Sequence, residues 1–83
     1  MFDDMMERME PYRDWDNDSN IIAYEIGDDF ITVQFRDGRY HFYTYTYGSA
    51  GQYQIEEMKR LARSGDGLNA HISEHKPPYT SKR

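Results

Sequence analysis

The chain has 83 residues, with 15 acidic against 10 basic side chains, a formal net charge of −5 and no cysteine. A chain this short supports one small domain and buries only about 60–65% of its unfolded surface, which excludes a large enclosed chamber. The missing thiols exclude a disulfide scaffold and a thiolate zinc centre, and no run of about 18 apolar residues exists to span a membrane. An acidic N-terminus has the wrong charge for a signal peptide, so the expected compartment is the cytoplasm.

The charge is carried by the ends. Residues 1–18 hold seven acids and two bases, residues 19–75 eight acids and five bases, and residues 76–83 three bases and no acid. This partition suggests an acidic N-terminal arm over 1–18, a folded domain over 19–75 and a flexible basic tail over 76–83. An acidic arm repels phosphate backbones and steers towards a basic partner, or simply keeps an aromatic-rich chain in solution.

In chain order, Phe2, Met5, Met6 and Met9 follow the spacing of one helical face, and Pro11 closes that short helix. Residues 12–20 are polar and acidic apart from Trp15, as suits a connector. The period then changes to two. Ile22, Tyr24 and Ile26, then Ile31, Val33 and Phe35, then Tyr40 and Phe42 alternate with their neighbours over three strands. Asp37-Gly38 is a strong two-residue hairpin signal, and Gly27-Asp28 a weaker one. Both turns place Ile22, Tyr24, Ile31, Val33, Phe35, Tyr40 and Phe42 on one face, which leaves Phe30, His41, Tyr43 and Tyr45 on the other.

A helix follows, with Ser49 and Gln52 in capping-box spacing and Ile55, Met58, Leu61 and Ala62 as its apolar stripe. Gly65 suits its left-handed terminator, and a second short element runs over 68–75. The expected architecture is α+β: a three-stranded antiparallel β-meander with a C-terminal helix packed on one face, plus short N- and C-terminal helices.

These residues resemble a family. Ser19-Asn20-Ile21, Tyr24, Val33-Gln34-Phe35, Gly38, Tyr40, Gly67-Leu68-Asn69, Ile72 and a terminal Tyr79 resemble, in their order along the chain, the KTSC domain. That family comprises small bacterial and phage-borne domains, also found at the C-terminus of some lysyl-tRNA synthetases. The resemblance covers about residues 19–79 and implies a fold; it carries no catalytic residue with it. The chain departs from the pattern at residues 47–51, where the family often has Val-Pro, and at Leu68, where it tends to have an aromatic.

Chemistry-bearing groups are sparse. His71 and His75, four apart, are weak candidates for a metal, with Glu74 near them but no clear third ligand, and two solvated histidines are the commoner explanation. Asp14, Asp16 and Asp18 lie in a connector and Asp28-Asp29 in a turn, without the burial that tunes a carboxylate for acid–base work. No nucleophile elbow, phosphate loop or dinucleotide fingerprint occurs, so no cofactor is expected and a metal-dependent enzyme is the weakest reading. Lys59, Arg60 and Arg63 form a basic helix side, interspersed with Glu56 and Glu57 as on an ordinary solvated face.

The leading expectation is a non-enzymatic protein-interaction module. Its candidate contacts are Phe2, Met5, Met6, Met9 and Trp15 of the arm with Phe30, His41, Tyr43 and Tyr45 of the outward sheet face. One version is a phage-type inhibitor that occludes a basic partner surface. A second copy covering the aromatic face would make a homodimer. The alternative is single-stranded nucleic-acid binding, with bases stacked on Tyr43 and Tyr45 and phosphates met by Arg36 and Arg39. The net acidity of residues 19–75 opposes that alternative.

Overall fold

The computed structural model describes residues 9–15 and 19–83. Phe2, Met5 and Met6, and with them most of the expected N-terminal helix, lie outside the described residues. Three strands occupy the alternating segments: β2 (Ile21–Ile26), β3 (Phe30–Phe35) and β4 (Phe42–Thr46), joined as an antiparallel meander. Two further strands correct the expected count of three. Flanking β1 (Glu10–Pro11) pairs with β2, and β5 (Ser81–Lys82) pairs with β4, which makes a five-stranded sheet in the order β1-β2-β3-β4-β5. Strands of two residues are too short to show a period, and an edge is where a proline is tolerated. Parts of the arm and of the tail that the charge partition set apart from 19–75 therefore belong to the sheet.

Both hairpins differ from their expected registers. Gly27 N donates to Phe30 O at 3.0 Å, so the first turn falls on Asp28 and Asp29, one residue later than Gly27-Asp28. Ile26 then faces Ile31 and Tyr24 faces Val33. The ring of Phe30 lies over Gly27, where an added Cβ would come within 1.9 Å of it. An irregularity between Ile21 and Ala23 shifts the strand by a residue and puts Ile21, rather than Ile22, in the core.

The second hairpin decides more. Phe35 N donates to His41 O at 2.7 Å, so the connection is a five-residue loop over 36–40 and not a two-residue turn. Val33 consequently faces Tyr43, and Ile31 faces Tyr45. A register change of one residue turns every side chain of a strand over. Tyr43 and Tyr45, expected to point outward, lie on the helix-covered face, and Tyr45 is 3% exposed. On the other face Thr32 and Thr44 share a hydroxyl–hydroxyl hydrogen bond of 2.8 Å, and Thr32 is itself buried.

The sheet leads directly into α1 (Tyr47–Ala50), a single turn closed by a capping box between Thr46 and Ser49. Thr46 Oγ1 accepts from Ser49 N at 3.1 Å, and Ser49 Oγ from Thr46 N at 3.0 Å. This box replaces the expected Ser49–Gln52 pair, because the chain breaks at Gly51 before α2 (Gln52–Ser64) starts. Ile55, Met58 and Ala62 of α2 enter a core with Ile21, Tyr24, Ile31, Val33 and Tyr45, and Leu61 packs against its margin. The helix ends at Gly65, whose φ of 76° and whose closeness to Arg13 both exclude a Cβ.

Residues before Ser19 seal this end. Trp15 N donates to Gly65 O at 3.0 Å and Trp15 Nε1 to Ser64 O at 2.9 Å, which satisfies carbonyls left over by the helix terminus. Tyr12 is buried; its N donates to Ile22 O, and its hydroxyl accepts from Leu68 N at the start of α3 (Leu68–His75).

Removing three carbons from the first turn of α2 tests this core. The Ile55→Ala variant is expected to lose about 3 kcal/mol of unfolding free energy, read from the urea midpoint at unchanged slope. A loss below about 1 kcal/mol would place Ile55 outside the core.

Candidate functional site

The strand–loop–strand geometry leaves one aromatic hollow open on the helix side. Phe35 at the end of β3, Tyr43 and Tyr45 on β4, Tyr40 and Gly38 in the 36–40 loop and Ile72 on α3 line a groove of about 250 Å³, with Asn20 and Asp37 at its margin. Each wall is held by a separate device.

The loop wall depends on Asn20. Its side-chain Oδ1 accepts from Asp37 N at 3.0 Å, its Nδ2 donates to Asp37 O at 3.3 Å, and its own carbonyl accepts from Arg36 N at 2.7 Å. Gly38 takes a φ of 115°, which side-chain-bearing residues rarely adopt. This leaves Tyr40 half-buried at the mouth of the groove.

The strand wall is a chain of edge-to-face rings. Phe35 and Tyr43 have centroids 5.3 Å apart, Tyr43 and Tyr79 5.0 Å, and Tyr45 and Tyr79 6.4 Å, a geometry that suits the ring quadrupoles. Burial first, then Tyr43 and Tyr79, push the Tyr45 hydroxyl up to about 12. Tyr79 is placed by the chain that follows it: Thr80 N donates to Thr44 O at 2.7 Å, and Arg83 N to Phe42 O at 2.9 Å. The basic tail thereby brings one of its charges, Lys82, beside the groove. Lys82 Nζ lies 4.7 Å from the Tyr40 ring centroid and 5.4 Å from that of Tyr79, whose hydroxyl holds the ammonium above its ordinary value. Arg39 Cζ lies 5.8 Å from the Tyr40 centroid.

The residues singled out from sequence are distributed differently from the expectation. Tyr43 and Tyr45 meet in the groove, with Arg39 at its mouth, while Phe30 and His41 are elsewhere. Phe30 covers Gly27, and His41 is exposed with Nδ1 3.0 Å from Phe35 O. Arg36 is exposed on the loop. Trp15 is 66% exposed, but both of its N–H groups are bonded to the end of α2 and Arg13 stacks on its ring. An outward aromatic sheet face built from Phe30, His41, Tyr43 and Tyr45 therefore does not exist, and the base-stacking and dimer readings that used it lose their surface. Tyr40, Ile72, Tyr79 and Lys82 were not candidates. The discriminating signal was the alternation of Tyr43 and Tyr45 with the more polar Thr44 and Thr46, which argues for tyrosines inside.

Other candidate chemistry is committed to structure. Lys59 is 5% exposed; its Nζ donates to Asp28 O at 2.8 Å and to Glu56 Oε2 at 2.9 Å, pinning the first turn to α2. Tyr47 donates to the same Glu56 oxygen, and the two donors hold that carboxyl below its usual range. Arg60 is paired with Glu57, so no continuous basic helix side is free. Asp14 Oδ2 accepts from Ser19 N at 3.2 Å, and Ser19 Oγ in turn accepts from Ile21 N. Among the described residues no group of three or more His, Asp or Glu could hold a metal ion, and no helix is long and apolar enough to cross a membrane.

His71 and His75 do share a helix face, with ring centroids 4.4 Å apart, and His71 Nε2 donates to Gln54 Oε1 at 2.7 Å. Burial, then His75, holds His71 below its ordinary value. On acidification the unfolded chain takes up this proton before the folded one does. The stability contributed by neutral His71 is thus present above about pH 6.5 and is lost as pH falls through its lower folded value. The wild-type melting temperature is expected to drop between pH 7 and 5.5 by more than that of His71→Gln. Equal drops in calorimetry would contradict this assignment.

No family model matches the chain, and neither does any curated protein or solved structure.

Proposed function

We propose that the chain is a small non-enzymatic interaction module and that the aromatic groove, rather than the arm or an outer sheet face, seats its protein partner. The observation that carries this reading is the groove itself. Side chains from β3, β4, α3 and one loop converge on a hollow left open in an otherwise packed aromatic cluster. Its volume is below that of ordinary small-molecule clefts and suits a single large side chain, the kind of anchor that dominates protein interfaces.

Two further facts support the same surface. Phe35, Gly38, Tyr40 and Ile72, which are among the residues that resemble the KTSC domain, come from two separate stretches of chain and line this one groove. In the polar hollow bounded by Tyr12, Asp14, Ser19, Asp66 and Asn69, the side chains of Tyr12, Asp14 and Ser19 each accept from a backbone amide instead.

Truncating the mouth of the groove separates this reading from a structural role. Affinity capture with the intact chain is expected to recover a partner that Tyr40→Ala binds at least about tenfold more weakly, as for a tyrosine hot spot. The variant's circular dichroism and melting temperature should stay close to wild type, since Tyr40 is outside the core cluster. Equal recovery by both chains would remove the groove from the interface.

A further inference from the structure

Accepting the groove as the binding face, we infer that it takes an acidic segment of a protein partner, inserted through one aromatic or large aliphatic side chain. The charge at its mouth is opposite to that of the chain as a whole. Lys82 and Arg39 both lie against the Tyr40 ring, and neither makes an ion pair among the described residues. Asp37 is the acid at the margin. In a chain of net charge −5, two cations beside the Tyr40 ring thus outnumber Asp37, the one charged residue of the lining.

The lining decides what enters. Its walls are rings and the Ile72 side chain, and the carboxamide of Asn20 is spent in both directions on Asp37. Those two bonds fix its orientation towards the loop rather than into the hollow. An apolar anchor buries well against these rings, whereas a nucleobase edge would have only the tyrosine hydroxyls and Asp37 to meet its donors and acceptors.

Range decides between anions. At physiological ionic strength electrostatic forces reach about 8 Å, so carboxylates next to the anchor feel Lys82 and Arg39, opposed by Asp37, more than the acidic remainder of the chain. A long polyanion would have to run across the acidic remainder of the chain, and affinity for nucleic acid depends on many phosphate contacts. The observations therefore favour an acidic peptide over a single strand of DNA or RNA. They also reverse the polarity that the acidic arm suggested, which was a basic partner.

The test uses the full chain, isotope-labelled, and follows amide shifts of residues 35–45 and 72. One probe is a heptapeptide with a central tryptophan flanked by three acidic residues on each side. The others are the same peptide with lysine flanks, the acidic peptide with glycine at its centre, and oligothymidylate. The acidic tryptophan peptide is expected to shift the groove residues, more weakly as salt rises. Binding should drop at least about tenfold with the lysine flanks, with the glycine centre, or in a Lys82→Glu, Arg39→Glu chain.

Lysine flanks binding as well as acidic ones would overturn the charge inference and leave the groove standing. Saturable binding of oligothymidylate in preference to the peptide would overturn the choice of partner class. Groove residues unmoved by every probe would overturn the groove reading itself.

Discussion

The clamp between Asn20 and Asp37 is the constraint on which the rest of this structure depends. Two side-chain hydrogen bonds and one from the backbone tie the entry to β2 to the loop after β3, and so set how many residues that loop consumes. With five residues in the loop, β4 starts one position later than a two-residue turn would allow. All of its side chains then exchange faces. Tyr45 goes into the core, Tyr43 meets Phe35 edge-on, and Thr44 finds the hydroxyl of Thr32 on the other side. The outcome is consistent across both faces, since the tyrosines gain burial and the threonines gain a mutual hydrogen bond.

The groove follows from that register. An aromatic cluster this dense needs a fourth ring to cover Tyr43 and Tyr45, and Tyr79 supplies it. Tyr79 is in place because β5 pairs with β4, and the same pairing carries Lys82 over Tyr40. The mouth of the site therefore consists of a mid-chain loop and the C-terminal strand, which have no contact until the sheet is complete. Its cations lie on ring faces, where the quadrupole attracts them without a carboxylate partner.

The edges show how the ends become part of a small domain. A chain of this length has little apolar surface to spare, and a bare three-stranded meander would leave two edges open. Glu10–Pro11 and Ser81–Lys82 cover them with two residues each. Tyr12 and Trp15 then join the arm to α3 and to the end of α2. These contacts explain why charge counting is a poor guide to domain limits here. Net charge reports which residues avoid burial, and an edge strand avoids burial while still belonging to the sheet.

The sequence by itself determined what depends on local period and local backbone preference. The alternation of Ile21 to Ile26, of Phe30 to Phe35 and of the aromatic stretch after it marks three strands. The stripe at Ile55, Met58 and Ala62 and the glycine at position 65 mark the helix and its stop. Tertiary structure alone decided the faces, because facing depends on loop length and loop length on Asn20, a residue 17 positions away from its partner. Period-two patterns are unchanged by a one-residue slip, so they identify a strand without saying which side is buried. The groove lies beyond the same limit: its walls are close in space only after the register, the edge strand and α3 are all in place.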